Sequence, residues 1–342
     1  MMLIANEQNI AQAAGKINEG GIVAFPTETV YGLGADAFNE RSVARVFNAK
    51  KRPFFDPLIV HISALNMMER LVDFSRLSLE SKKKLDVLTK ELMPGPLTLI
   101  LPKKPTVPDI TSGGLDTVAV RFPCHDVALK LIDTAGCPIA APSANPFGLL
   151  SPTTARHVQA GLGDSVDMIL DGGPCRIGIE STVLDICGGK AAVLRQGGTE
   201  QDAIEALIGK CCATPHDPKI TSPGCLKSHY APKSKLILYA HEDFLNIPLK
   251  DDASYLFFDK ASMEKWEKRQ ETNKKNYSCS VLSLQSNKIE ANTIEAASNL
   301  FQTLHIIDAE KPSCIYAQAA PHLGLGPAIN DRLQRASVSA NL

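Results

Sequence analysis

The sequence predicts an α/β protein of two domains, a larger one built on a mixed twisted sheet with helices and a smaller α/β domain behind it. Three observations lead there. The 342 residues exceed what one compact core ordinarily uses. Short apolar runs alternate with amphipathic stretches, the pattern of strands interleaved with helices. Around residues 211–234 the pattern breaks, because Pro215, Pro218, Pro223, Gly224 and Pro232 punctuate a stretch of little apolar periodicity. The expected organisation is a first domain over 1–210, a linker and lid over 211–234, and a second domain over 235–342.

Each element has its own warrant. Ile10, Ala13, Ala14 and Ile17 share one side of a helix over 5–19, which Gly20-Gly21 ends before a buried strand over 22–25. A polar loop is expected over 27–34. Val43, Val46 and Phe47 face inward from a helix over 41–51, and a strand returns at 58–62. Further strands are expected at 97–101, 117–122, 138–141, 168–170, 182–185 and 192–195, with helices over 76–92 and 126–134 between them. Beyond the linker, strands at 236–239, 254–258, 280–283 and 314–317 and an amphipathic helix over 289–305 give the second domain a Rossmann-like outline.

Composition narrows the function. Hydrophobic residues make up 44%, enough for real cores and too many for a disordered chain. With 36 basic and 37 acidic residues the net charge is -1, so a nucleic-acid contact needs a local patch. Lys82-Lys83-Lys84 and Lys103-Lys104 are the candidates, each also readable as a solvated face. No apolar run of about 18 residues predicts a membrane span, and residues 1–20 carry no basic segment followed by an apolar one. Nine scattered cysteines without a Cys-x-x-Cys pair argue against a disulfide framework or structural zinc. A cytoplasmic location is the expectation. The familiar phosphate loops, G-x-x-x-x-G-K-[ST] and G-x-G-x-x-G between strand and helix, are missing from the sequence, as is H-E-x-x-H.

Chemistry concentrates at a few strand edges. Lys50 and Arg52 fall where a helix ends and His61 lies on the next strand, so the cations serve either the helix dipole or a polyphosphate. In Thr117-Val118-Ala119-Val120-Arg121-Phe122, alternation places Thr117, Ala119 and Arg121 on one face. A buried arginine there needs a partner, either a structural carboxylate or a substrate carboxylate gripped by the guanidinium fork. A buried strand runs into Pro142-Ser143-Ala144-Asn145-Pro146, a rigid loop where Ser143 and Asn145 suit a local turn or a phosphate and ribose. Gly178 to Asp185 and Leu194-Arg195-Gln196-Gly197-Gly198 have the same character. Ser228-His229-Tyr230-Ala231-Pro232-Lys233 reads as a solvated hinge or as a segment that excludes water from a reaction.

Taken in order, these segments resemble the Sua5/YrdC/YciO family in its two-domain Sua5 form, over nearly the whole chain. The blocks are Pro26 to Gly34, Lys50-Lys51-Arg52-Pro53 with Pro57 to His61, Ser143-Ala144-Asn145, His229 to Lys233, and Gly324 to Leu333. The resemblance implies a YrdC-like first domain and a nucleotidyltransferase, an L-threonylcarbamoyladenylate synthase. It would join L-threonine, bicarbonate and ATP with Mg²⁺, release pyrophosphate, and serve modification of adenosine 37 in tRNAs reading ANN codons. The product would pass to a downstream tRNA threonylcarbamoyl transferase complex, with weak direct tRNA binding an open expectation and no membrane partner. It implies threonine-site positions at Thr29, His61, Arg121, Ala141 and Ser181, and ATP-site positions at Arg52, Asp56, Thr117, Ser143, Asn145, Ser151, Arg195 and Tyr230. Lys50 and Arg52 are the expected catalytic pair, and no protein-held metal site is expected.

One departure stands out: Phe54-Phe55-Asp56 replaces the family's small polar run ending in Asn, putting an anion near phosphates. Asp56 either binds Mg²⁺ or turns away. Two rival functions remain, an RNA-binding module without turnover and a transferase using carbamoyl phosphate. The Gly324 to Leu333 segment reads equally as a docking surface, a turn or a helix start.

Overall fold

The computed structural model describes residues 1–188, 190–212, 229–270, 277–284 and 289–338, excepting the side chains of 289–291. Most of the expected linker, 213–228, lies outside the described residues. Internal contacts divide the chain into two units. The first draws on Met1–Phe147, Pro152–Arg176 and Glu180–Cys225, the second on Gly148–Ser151, Ile177–Ile179 and Leu226–Leu342.

The first unit holds strands β1 (Met2–Ile4), β2 (Val23–Phe25), β3 (Gly32–Asp36), β4 (Ile59–His61), β5 (Leu97–Pro102), β6 (Thr117–Arg121), β7 (Ile139–Ala140), β8 (Met168–Asp171), β9 (Thr182–Asp185) and β10 (Ala192–Arg195). They form one sheet in the order β1-β8-β2-β3-β7-β4-β6-β5-β9-β10. Parallel pairs such as β4–β6 and β5–β9 mix with antiparallel ones such as β5–β6 and β2–β3.

Seven helices accompany the sheet among the described residues: α1 (Glu7–Asn18), α2 (Glu40–Lys50), α3 (Leu79–Leu92), α4 (Asp109–Ser112), α5 (Asp126–Ala135), α6 (Ala155–Leu162) and α7 (Gln201–Ile208). Asn6, Asn39, Ser78 and Thr154 cap α1, α2, α3 and α6 by accepting first-turn backbone N–H groups.

The two faces of the sheet are used differently. On one, Val60, Val118, Val120, Leu97, Leu99 and Leu184 pack under Val43 and Phe47 of α2, Leu85 and Leu88 of α3, Val158 of α6 and Ile204 of α7. On the other, Ile10, Ala13 and Ile17 of α1 and Leu131 and Ile132 of α5 cover Val23, Phe25, Ile139 and Met168. That second cover stops at β7. Farther along the same face, Ile59, Ala119, Ile100 and Val183 from β4, β6, β5 and β9 make a separate small apolar cluster. The candidate site is built around it.

One expectation fails instructively. Residues 27–34 were expected as a loop, yet Gly32-Leu33-Gly34 opens β3, paired with β2 as Phe25↔Gly32 and Val23↔Gly34. Glycine has poor strand propensity, and tertiary packing overrides it. A Cβ on Gly34 would stand 2.6 Å from Ile139 Cγ2 and 2.7 Å from Phe25 Cε1, so the Phe25 ring occupies the missing side chain's place. Elsewhere β1, α4, α6 and α7 are additions to the expected elements.

The second unit is a parallel sheet of β11 (Leu236–Tyr239), β12 (Ala253–Asp259), β13 (Tyr277–Ser283) and β14 (Cys314–Gln318), in the order β11-β14-β12-β13. Its helices are α8 (Lys260–Gln270), α9 (Ile289–Ala309) and α10 (Gly326–Ser337). The Gly324 to Leu333 segment is a helix start. Gly324 takes φ 53, and a Cβ on Gly326 would meet Pro321 O at 1.7 Å, so glycine is required there. Asn330 closes the turn by donating to Ala320 O and accepting from Ala320 N.

Gly34→Ala should lower the free energy of unfolding by about 1–3 kcal/mol through overpacking. Chemical denaturation checks this, and an unchanged midpoint would mean that Phe25 yields freely.

Candidate active site

Strand register fixes which side chains share the exposed half of the sheet face. β4 pairs with β6 as Ile59↔Ala119 and His61↔Arg121, and β6 pairs with β5 as Thr98↔Arg121 and Ile100↔Ala119. His61, Arg121 and Thr98 therefore stand together on the face that carries the small apolar cluster. Thr117 opens β6 on the same face, four residues before Arg121 and so about 13 Å away at strand rise. The face has two polar ends with an apolar floor between them.

At one end lies Arg121, 3% exposed. Its Nη1 donates to Thr29 Oγ1 at 2.9 Å, and its Nη2 lies 2.8 Å from Glu28 Oε1. Glu28 is only 1% exposed. The loop after β2 is tied by its own hydroxyls: Thr27 and Thr29 Oγ1 are 2.8 Å apart, and Thr27 donates to Val30 O at 2.7 Å. His61 is the register partner of Arg121 and meets the Phe25 ring edge-on, with centroids 5.9 Å apart. Burial, aided by the adjacent guanidinium, pushes its pKa down to about 3, so the imidazole is neutral at physiological pH.

Ser181 extends this end, and Arg195 links it to the other, where its charge reaches Asp56. Ser181 Oγ is 2.8 Å from Thr98 Oγ1, and Arg195 grips Ser181 through Nε and Nη2 to its carbonyl at 3.1 and 2.9 Å. Ala141 is placed by its N–H, which donates to Ile59 O at 2.9 Å.

At the other end α2 terminates in Lys50, 1% exposed. Its ammonium donates to Ser143 O and Asn145 O, both at 2.5 Å, with Asn145 Oδ1 at 3.4 Å. Lys50 thus ties the Ser143–Asn145 loop to α2, and its position is that of an anchor. Lys51 then reverses the chain at φ 54. Arg52 donates from Nε to Asp56 O and from Nη2 to Pro57 O, at 3.3 and 3.0 Å, and pairs with Asp56 Oδ2 at 2.8 Å. The register of β4 against β6 sets Thr117 beside this turn.

Charges here are mutually compensated. Burial drives the Asp56 carboxyl upward while Arg52, Lys50 and Arg195 pull it down. Burial drives the Lys50 amine well down, with Arg52 adding to the effect and Asp56 and Glu180 opposing it. Three cations around one carboxylate do not make a cage for a divalent cation, so Asp56 does not fit a Mg²⁺ ligand; it serves as the counter-charge of Arg52. Among the described residues no group of three or more His, Cys, Asp or Glu side chains is placed to hold a metal ion.

Ser151 and Tyr230 belong to the second unit. Ser151 O accepts from His305 Nε2 at 3.1 Å. Tyr230 is 1% exposed and holds φ 62, with Arg332 over its ring at 5.4 Å and Phe301 at 5.6 Å. It is a packed residue, not a solvated hinge. Ala231 N donates to Gly148 O at 2.9 Å within the same unit.

Sequence reasoning assigned no role to Glu28 or Thr98. The signal for Glu28 was present: a lone carboxylate between two threonines, just after an apolar strand. Three of the five lysines in the two runs are locally engaged. Lys84 pairs with Glu80 at 2.7 Å, Lys103 with Asp109 at 2.5 Å, and Lys104 donates to Glu69 O.

Comparison with known proteins identifies the family. Residues 15–197 match the family model of Sua5, YciO and YrdC, described as Telomere recombination. The chain belongs to the Sua5/YrdC/YciO family. Residues 199–338 match the Sua5 C-terminal model, described as the threonylcarbamoyl-AMP synthase C-terminal domain. A threonylcarbamoyl-AMP synthase of Pyrococcus abyssi is 39% identical over 97% of this chain and 94% of its own length. One from Bacillus subtilis is 38% identical over 98% of this chain and 94% of its own. The structure of P. abyssi Sua5 complexed with L-threonine superposes with a TM-score of 0.80 at 36% identity, covering 98% of this chain and 96% of that one. Among the described residues no helix is long and apolar enough to cross a membrane.

His61 supplies a test. Its pKa is depressed in the folded state, so the unfolded chain binds more protons between about pH 6.5 and about 3, and stability falls as pH drops through that window. Its imidazole signals in an NMR titration should stay those of the neutral ring from pH 8 to below 5. A midpoint near 6.5 would contradict the buried, guanidinium-flanked placement.

Proposed function

We propose that this chain is a threonylcarbamoyl-AMP synthase, joining L-threonine, bicarbonate and ATP and releasing pyrophosphate. The observation that carries the reading is the two-ended polar face, a buried guanidinium beside a neutral imidazole at one end and a compensated cation cluster at the other. Family membership and the near-full-length relatives support it. Arg121, His61, Thr29, Ser181 and Ala141 would receive the amino acid. Arg52, Arg195, Thr117, Ser143 and Asn145 would receive ATP, with Asp56 holding Arg52 in place.

The chemistry needs positioning more than a strong acid or base. Threonine's amine and bicarbonate give a carbamate, whose oxygen attacks the α-phosphorus in line while pyrophosphate departs. Arg52 and Arg195 would offset the charge that develops on the leaving group. Lys50 acts by holding the Ser143–Asn145 loop. Mg²⁺ is proposed to arrive on the nucleotide's own oxygens, as part of the substrate. In this reading the enzyme is a nucleotidyltransferase of the cytoplasm whose product passes to a tRNA-modifying transferase acting at adenosine 37. Ser151 and Tyr230 are proposed as ATP-binding residues on the resemblance alone.

Purified protein with ATP, Mg²⁺ and bicarbonate should release pyrophosphate only when L-threonine is added, with the adenylate visible by mass. No threonine-dependent release from folded protein would overturn the reading. Arg52→Ala should lower kcat/KM for ATP by roughly 100-fold or more, the usual loss for one charge-stabilising donor. Tyr230→Ala should weaken ATP binding or raise adenylate leakage, and no change in either would remove Tyr230 from the site.

A further inference from the structure

We propose that Glu28 is the anchor and proton acceptor for the α-amine of the amino-acid substrate. The inference rests on the function proposed above and adds a residue to which that reading gave no role.

Glu28 and Arg121 neutralise one another at 2.8 Å, yet the pair is not hydrogen-bonded. Neither Glu28 oxygen has a hydrogen-bond partner among the described residues, and neither do Arg121 Nε and Nη2 or His61 Nδ1. A guanidinium whose N–H groups miss the carboxylate beside it is aimed elsewhere. All three side chains are more than nine-tenths buried. Orphaned groups of this kind cost free energy unless a ligand completes them.

The ligand that completes them carries an anion and a cation a bond or two apart. An α-amino acid does so, with its carboxylate on Arg121 and its ammonium on Glu28. A simple anion such as phosphate would satisfy Arg121 and be repelled by Glu28. The neutral His61 leaves that balance unchanged.

The same contact sets up the first chemical step. An ammonium is no nucleophile, so one N–H proton must leave before nitrogen attacks carbon. Glu28 takes that proton. The freed lone pair forms the C–N bond with the bicarbonate carbon, the C–OH bond breaks, and the departing hydroxide takes the amine's second proton to leave as water. The carbamate anion remains, with Glu28 protonated until the site reopens to solvent. The charged and titratable groups facing Glu28 are Arg121 on β6 with His61 beside it on β4, His125 just before α5, and Cys175 beyond β8. Burial holds His125 down and the Cys175 thiol up, so both are neutral near pH 7 and add no charge beside Glu28.

Wild-type protein gives the first test, free of folding artefacts. Binding of L-threonine is compared by calorimetry with binding of 2,3-dihydroxybutanoate of matching configuration, in which a hydroxyl replaces the amine. Glu28 predicts at least a 30-fold loss, and equal affinity would overturn the proposal. The second test is Glu28→Gln, assayed for threonine-dependent pyrophosphate release across pH. The rate should fall about 100-fold or more at neutral pH, the scale of general-base catalysis, and recover as pH rises into the amine's own range. A raised KM for threonine with an unchanged pH profile would make Glu28 a mere brace for Arg121. If wild type itself releases no threonine-dependent pyrophosphate, the function of the whole site is misread and this inference falls with it. A working wild type beside an unaffected Glu28→Gln refutes the inference alone.

Discussion

A guanidinium buried on a central strand is the constraint from which the rest of the site follows. Moving such a charge out of water costs several kcal/mol unless partners compensate it. Arg121 sits on β6 between β4 and β5, with the sheet on one side and the loop after β2 on the other. That loop exists to meet it: Glu28 supplies the counter-charge, Thr29 a hydrogen bond, and Thr27 fixes Thr29. The glycines of β3 leave room for the Phe25 ring, and Phe25 in turn backs His61. Motif residues that look catalytic in one dimension are, in part, packing around one arginine.

The opposite end solves a related problem. A polyphosphate site needs several cations close together, and buried cations repel. Asp56 and the backbone oxygens of Asp56 and Pro57 hold Arg52, while three oxygens of the Ser143–Asn145 loop absorb Lys50. The buried aspartate at position 56 is therefore accommodated by the arginine four residues before it. Between the ends, Ile59, Ala119, Ile100 and Val183 keep the floor apolar, which strengthens every charge interaction above it.

Much of this was legible in the sequence. Alternation along Thr117 to Phe122 placed Arg121 on the right face, and apolar runs located most strands of both units. The alternative partners foreseen for Arg121, a structural or a substrate carboxylate, are not exclusive: the structure supplies Glu28 and still leaves Nε unbonded. What escaped was tertiary. Nothing local marks Gly32-Leu33-Gly34 as a strand, because its pairing partner and the ring that fills its surface lie elsewhere. Nor does sequence show that the Lys50 ammonium ends on loop carbonyls ninety-odd residues on. In the second unit, the helix start at Gly326 is dictated by Pro321 O, which occupies the space of a side chain and leaves no mark in the local pattern.

The central claim is that one sheet face carries the amino acid at its Arg121 end and the nucleotide phosphates at its Arg52 end. A crystal structure with L-threonine and a non-hydrolysable ATP analogue tests it most directly. The account predicts the threonine carboxylate on Arg121, its amine toward Glu28, and the phosphates beside Arg52 and the Ser143–Asn145 loop. An amino acid bound away from Arg121, or phosphates seated on Arg121 itself, would contradict it.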